Sequence, residues 1–146
     1  MLEIDSELFN SGQVIAGRGG WIDLENGANG GGVARINSTG ELEMDGNGQL
    51  NVVFSAIAHG ALALDDSVTS PYGGIISGFT ANDKIDLSDI GFIQGTTNAA
   101  FFGDHTQGQL IVTDGTNTTS LHMLGNFVSA SFHVATDNHG GTLVTF

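Results

Sequence analysis

One short phrase recurs in this chain at a constant interval of twenty residues. Residues 20–25 read GWIDLE, residues 40–45 read GELEMD and residues 60–65 read GALALD. Within each phrase, apolar residues alternate with polar or small ones, which is the signature of a β-strand with one buried face. The repeat therefore predicts one short amphipathic strand in every unit.

A second apolar patch lies about ten residues from each phrase, at QVIA (13–16), GVARI (32–36) and NVVFSAIA (51–58). Turns rich in Gly, Asn and Ser separate the patches from the phrases. Two strands in so short a repeat cannot enclose a core by themselves, so neighbouring units must stack as the coils of a solenoid. The stacked columns predicted in this way are Ile22, Leu42 and Leu62; Leu24, Met44 and Leu64; and, at the corners, Gly20, Gly40 and Gly60.

The predicted fold class is therefore all-β, a single-stranded β-solenoid similar to a parallel β-helix or β-roll, with coils of about 20 residues. A sandwich of hairpins of equal length is the alternative, because sandwiches and barrels also contain regularly spaced short strands. We treat residues 1–146 as one domain with regular coils at 1–66, an irregular middle at 67–107 and C-terminal strands at 108–146.

The C-terminal strands follow a different rhythm from the coils. Their apolar markers recur every eleven residues, at Leu110, Leu121, Phe132 and Leu143. Turn-forming segments join them. This rhythm fits either hairpins or narrower coils, and it leaves open whether the strands pair in parallel or antiparallel fashion.

The charge of the chain limits its partners. Sixteen acidic residues stand against three basic ones, which gives a formal net charge of −13. Nucleic-acid binding depends on clustered Lys and Arg, so we expect no nucleic-acid partner. No apolar run approaches the ~18 residues of a membrane span. The acidic N-terminus MLEIDSELFN does not have the pattern of a cleavable signal peptide, so export would need another route.

Two segments of the second half, ISGFTANDKIDLSDIGF (76–92) and GQLIVTDGTNTTSLHMLGNFVSASFHVATDNHGGTLVTF (108–146), carry a resemblance. They are similar to the C-terminal region of large proteobacterial proteins secreted by the type I pathway, including haemolysin-type and adhesin-like proteins. The first 66 residues look like the β-solenoid passengers that precede such tails. The resemblance implies an extracellular or cell-surface location, reached through an uncleaved C-terminal signal.

Calcium-binding members of that group carry tandem GGxGxDxUx nonapeptides, and this sequence has no such array. We therefore expect no full calcium β-roll, although an isolated calcium site is compatible with carboxylates at turns. Asp83, Asp86 and Asp89 form the best candidate, with Asp86 on the outer face of a strand and Asp83 at the turn before it. The alternative is a set of solvated acids beside that strand.

The sequence contains no recognisable catalytic arrangement. It has no HExxH, GxSxG or phosphate-binding fingerprint, and its three dispersed bases argue against a polysaccharide lyase. We predict no catalytic residues and no cofactor other than calcium. His122 and His133 each follow an apolar strand marker. On adjacent strands they would form either a cross-strand pair able to bind a transition metal or a solvent-facing ladder.

Trp21 is the exception within the repeat. It occupies the outward column that also holds Glu41 and Ala61. We expect it to contact a neighbouring subunit or to lie under an N-terminal cap built from residues 1–12. Neither terminus shows an obvious cap for the open strand edges of a solenoid, which predicts stacking of copies head to tail.

These observations predict a secreted, non-enzymatic structural or adhesive β-solenoid that associates with itself into filaments or a surface matrix. Cell-surface or matrix glycans are further expected partners, since aromatic side chains form sugar-binding platforms where several are exposed together. The alternative is a calcium-assisted folding and secretion module of a larger hydrolase or lyase.

Overall fold

The fold was analysed in a computed structural model that describes residues 1–45, 47–57 and 59–146. Regular structure in these residues is almost entirely β, with a single short 3-10 turn at Ser129–Ser131. Within the described ranges no helix has the length and apolar character needed to cross a membrane. The strands are β1 (Leu2–Ile4), β2 (Leu8–Phe9), β3 (Gln13–Ala16), β4 (Trp21–Leu24), β5 (Ala28–Asn29), β6 (Val33–Ile36), β7 (Glu41–Met44), β8 (Asn51–Phe54), β9 (Ala61–Leu64), β10 (Ile75–Ser77), β11 (Lys84–Leu87), β12 (Asn98–Gly103), β13 (Gln107–Thr113), β14 (Thr118–Leu124), β15 (His133–Thr136) and β16 (Thr142–Thr145).

The strands wind into a β-solenoid of about four turns with coils of about 20 residues. Strands β1, β4, β7, β9 and β11 stack in parallel in sheet 1, which continues through β16 and β15. Strands β3, β6, β8 and β10 stack in parallel in sheet 2, which continues through β14, β13 and β12. Strands β2 and β5 form a short third sheet. The predicted fold class is confirmed.

The predicted interior columns are present in the predicted register. Ile22 pairs with Leu42, which pairs with Leu62, and the column of Leu24, Met44 and Leu64 lies beside them. Leu24 and Leu62 have no exposed surface. Burying one such side chain contributes about 1.5–3 kcal/mol, so the stacked columns are a main source of stability. They belong to one continuous hydrophobic core that also includes the inward residues of sheet 2.

Residues 1–12 form the beginning of a first coil. Leu2 pairs with Ile22 and Ile4 pairs with Leu24, so β1 extends the same two columns by one step. These residues therefore continue the stack of coils, and a cap over Trp21 stays a prediction. The segment MLEID (1–5) has the alternation of WIDLE (21–25), at the same interval of twenty residues.

The glycine column marks the corners because neighbouring coils approach closely there. A Cβ atom on Gly40 would lie 2.2 Å from the carbonyl oxygen of Ala16 in the preceding coil. One on Gly60 would lie 2.2 Å from a methyl carbon of Ile36. None of the predicted corner glycines is among the residues with positive φ. The predicted corners are confirmed. Close approach of the preceding coil accounts for Gly40 and Gly60, whereas a Cβ atom on Gly20 would lie 3.2 Å from the carbonyl oxygen of Gly17 in its own turn.

The C-terminal third consists of hairpins. Strands β12, β13 and β14 pair antiparallel, and Leu110 lies directly opposite Leu121, so this step of the eleven-residue rhythm reflects a hairpin. The other steps do not, because Phe132 lies before β15 and Leu143 lies opposite Ala135. Strand β14 then joins sheet 2 in parallel with β10, while β16 pairs antiparallel with β11. His122 lies opposite Gln109 in sheet 2, and His133 lies opposite Thr145 in sheet 1. The cross-strand histidine pair is therefore not formed.

Candidate functional site

Asp83 is a buried structural acceptor at the corner before β11. Its carboxylate accepts hydrogen bonds from the backbone N–H and the hydroxyl of Thr80, at 2.9 and 2.8 Å. A third bond comes from the backbone N–H of Gly60, at 3.2 Å, which ties this corner to the preceding coil. Asp83 has no exposed surface. Its oxygens therefore stabilise the turn and connect it to the preceding coil.

Asp89 and Asp86 lie in different surroundings. Asp89 accepts bonds from the Ser67 hydroxyl at 2.7 Å and from the Val68 backbone N–H at 2.6 Å. Asp86 is half-buried on the outer face of β11, where burial, followed by the charges of Asp137 and Asp65, raises its pKa to about 6. Within the described ranges, the structure does not gather Asp83, Asp86 and Asp89 into one group of ligand atoms. A calcium site at these residues stays a prediction.

Trp21 lies on the outer face of sheet 1, opposite Glu41 as the repeat predicts. Its side chain is 39 % exposed, and its indole N–H donates a 2.9 Å hydrogen bond to Oε2 of Glu43 on the next strand. The other strongly exposed aromatic side chains, Phe9 and Phe102, lie on β2 and β12. Trp21 therefore contributes to an outer sheet face rather than to a cluster of exposed rings.

That outer face carries closely spaced carboxylates. Oxygens of Glu43, Asp45 and Asp65 lie within 4.8 Å of one another, and a second, exposed group consists of Glu3, Asp5 and Glu25. These acids belong to the polar columns of the repeat. The sequence pattern predicts those columns but assigns no site to them. The signal was present in the shared phrase endings, because parallel, in-register stacking places equivalent acids side by side.

Burial and mutual repulsion raise the pKa values of these acids. The pKa of Glu43 rises to about 7, mainly through desolvation and then through the charges of Asp65 and Asp23. The pKa of Asp45 rises to about 6 for the same reasons. The pKa of Asp23 is also raised, first by burial and then by Asp65 and Asp5. The ionised forms of these carboxylates are therefore destabilised by burial and by repulsion from one another.

This arrangement predicts that, without divalent cations, the protein becomes less stable as pH rises from about 4.5 to about 7.5. In that window the folded state binds more protons than the unfolded state, because Glu43 and Asp45 have raised pKa values in the fold. We expect the free energy of unfolding to fall by about 1 kcal/mol, a value reduced for solvent screening of half-buried groups. Urea unfolding in EDTA at pH 5 and pH 8 measures it, and Glu43→Gln should flatten the slope. A gain in stability over this range would contradict the prediction.

Residues 1–16 form the edge coil at the N-terminal end of the described residues. Strands β1 and β3 are the edges of sheets 1 and 2 there, so each leaves one row of backbone hydrogen-bonding groups unpaired. Leu2 lies in the interior column of Ile22, yet it is 54 % exposed whereas Ile22 is 8 % exposed. The inward side chains Ile4, Leu8 and Val14 are only half-buried. An apolar cross-section of the core therefore faces solvent at this end.

The C-terminal hairpins pack around a cluster of aromatic side chains. Phe101, Phe127, Phe132 and Phe146 form a cluster with ring centroids 5.0–6.1 Å apart. The Ser129 hydroxyl bonds to both the N–H and the carbonyl of Phe101, which fixes the 3-10 turn against β12. Strands β15 and β12 are the outermost strands of the two sheets there.

No pocket opens on the surface that the described residues form. Comparison of the chain with family models, curated proteins and solved structures found no match.

Proposed function

We propose that this chain is a secreted, non-enzymatic structural or adhesive β-solenoid that joins copies of itself end to end. The observation that carries the proposal is the open N-terminal coil, where interior side chains such as Leu2 are about half exposed. Covering them removes apolar surface from water, at about 25 cal/mol per Å². Strand pairing across the junction would also satisfy the unpaired backbone groups of β1 and β3.

A second copy of this chain is the occupant that best fits the open end. One end exposes the β1 edge of sheet 1 and the β3 edge of sheet 2, and the other exposes the β15 and β12 edges of the same two sheets. Head-to-tail stacking would continue both sheets at once. Because the contact joins two different surfaces, it repeats without closing and produces a filament.

The location and the adhesive role rest on the resemblance of residues 76–92 and 108–146 to type I secreted proteins. That resemblance supports an extracellular or cell-surface address without a cleaved N-terminal signal. It also extends the proposal to cell-surface or matrix glycans as adhesive partners, and a glycan array probed with the labelled protein tests that part.

Self-association is tested by comparing an inward substitution with an outward one at the same end. Leu2→Lys places a charge in the interior column of β1, whereas Ile15→Lys places the same charge at a site that is 50 % exposed on β3. Light scattering after size exclusion should show a mass that grows with concentration for the wild type and for Ile15→Lys, and a monomer for Leu2→Lys. Electron microscopy should show fibres for the first two proteins.

Two results would overturn the proposal in different ways. If the wild-type protein stays monomeric at the highest concentration, the proposal of self-association is wrong. If the protein forms a dimer whose mass does not grow with concentration, the head-to-tail arrangement is wrong. A dimer of that kind joins the same end of both copies, so no end is left for a third copy.

A further inference from the structure

The outer face of sheet 1 contains a compact group of acidic side chains that self-association does not use. Glu43 lies on β7, Asp45 follows β7 directly, and Asp65 follows β9. Strands β7 and β9 pair in parallel with Met44 opposite Leu64, so the next residues, Asp45 and Asp65, leave the sheet side by side. Glu43 projects from the same face two residues earlier. Carboxylate oxygens of Glu43, Asp45 and Asp65 come within 4.8 Å of one another.

A buried and unpartnered carboxylate borders this group. Asp23 pairs in register with Glu43 and lies on the same face, but it is only 9 % exposed. Its Oδ1 has no hydrogen-bond partner, and neither does the buried Oδ1 of Asp45. The charge of Asp23 raises the pKa of both Glu43 and Asp45, which places its carboxylate close to the group electrostatically. A buried polar atom without a partner is costly, so these oxygens would gain from accepting a ligand.

The surroundings of the group favour a cation. The face receives Glu3 from β1, Glu41 from β7 and Asp86 from β11. Lys84 on β11 and His133 on β15 are basic residues of the same sheet, and both are exposed. The charges that most strongly shift the pKa values of Glu43 and Asp45 all belong to carboxylates. Small residues Ala61 and Ala63 occupy the outward positions of β9 next to Asp65. A cation is therefore the ligand that offsets this charge.

We infer that Glu43, Asp45 and Asp65 form a binding site for a divalent hard cation, with Asp23 bordering it, and that calcium is the ion they suit. Calcium takes six to eight oxygen ligands at flexible geometry, and three carboxylates supplemented by water meet that requirement. The site lies on the outer face of a parallel sheet, apart from the corners that hold Asp83 and Asp89. Binding would join β7 to β9. It does not depend on the proposed self-association.

Trp21 supplies an internal reporter for the site. It is the only tryptophan of the chain, and its indole N–H donates to Oε2 of Glu43. We expect calcium titration at pH 7.5 to give a saturable change in tryptophan emission with a Kd in the range of extracellular modules, ~10⁻⁴–10⁻³ M or tighter. Calorimetry should give one ion per chain.

Matched variants separate coordination from general electrostatics. Asp65→Asn and Asp45→Asn should each weaken calcium binding at least tenfold, as measured by calorimetry. Asp66→Asn removes the same charge from the exposed neighbouring residue and should change affinity less than twofold. Two results would overturn the inference: no saturable binding up to about 10 mM calcium, above the weakest range expected, or an equal loss of affinity in Asp66→Asn. The folded state of each variant is checked by its circular dichroism before titration.

Discussion

We expect Gly40→Ala to destabilise the protein by about 3 kcal/mol, although the substitution adds a single methyl group. The added Cβ would lie 2.2 Å from the carbonyl oxygen of Ala16, 2.6 Å from its carbonyl carbon and 2.9 Å from the carbonyl oxygen of Gly17. All of these are backbone atoms of the neighbouring coil, so no rotamer change relieves the contact. The coils would have to separate at this corner, and Glu41 N–H, which bonds to the Gly20 carbonyl at 2.9 Å, would move with them.

Gly17→Ala is the matched control at the preceding corner. A Cβ there meets nothing within 4 Å, and the residue does not have a positive φ. The added methyl group restricts the unfolded chain, so we expect this variant to be neutral or more stable by about 0.4–1 kcal/mol. Urea unfolding followed by circular dichroism measures both variants. If Gly40→Ala were as stable as Gly17→Ala, close packing of the coils would not be the reason for glycine at this corner.

The parallel part of the fold could be predicted from the sequence because its repeat is regular. An interval of twenty residues places Ile22, Leu42 and Leu62 in one column, and parallel stacking without an offset follows from identical unit lengths. The first coil was missed although MLEID (1–5) shares the alternation of WIDLE (21–25). Gly20, Gly40 and Gly60 define the repeat in the other units, and residues 1–5 contain no glycine.

The pairing of the C-terminal strands could not be predicted in the same way. Strand β14 pairs with β10 on one side and β13 on the other, with His122 beside Ile75 and opposite Gln109. The intervals between these partners are unequal, because the hairpin of β12 and β13 is inserted between β11 and β14. Strand pairing over such intervals depends on tertiary packing, including the phenylalanine cluster. The alternation of apolar and polar residues within each strand does not specify its partner strand.

The acidic candidate site also lay beyond what the sequence analysis identified. A search along one strand selects Asp83, Asp86 and Asp89 because they are close in sequence. The structure instead brings together Asp45 and Asp65, which are twenty residues apart but adjacent across β7 and β9. In a solenoid, neighbours in space are separated by one repeat. Ligand sets should therefore be sought along columns of the repeat.

We expect Asp83→Ala to cost about 3 kcal/mol of the free energy of unfolding. The substitution removes the acceptor for the backbone N–H groups of Gly60 and Thr80 and for the Thr80 hydroxyl. A buried donor left without a partner costs about 1–3 kcal/mol, and the Gly60 N–H is buried between two coils. Asp66→Ala, which removes an exposed carboxylate after β9, should change stability by less than about 0.5 kcal/mol.

The same variant decides between the two roles considered for Asp83. Its carboxylate is already occupied by hydrogen bonds from the fold, so the loss in Asp83→Ala should be equal in calcium and in EDTA. Thermal unfolding in both conditions measures this. A loss that appears only in calcium would make Asp83 a metal ligand, because removing a ligand weakens only the cation-bound state. An equal loss in both conditions would show that Asp83 has a structural role. Its carboxylate accepts a hydrogen bond from the Gly60 N–H, so it connects the corner before β11 to the preceding coil.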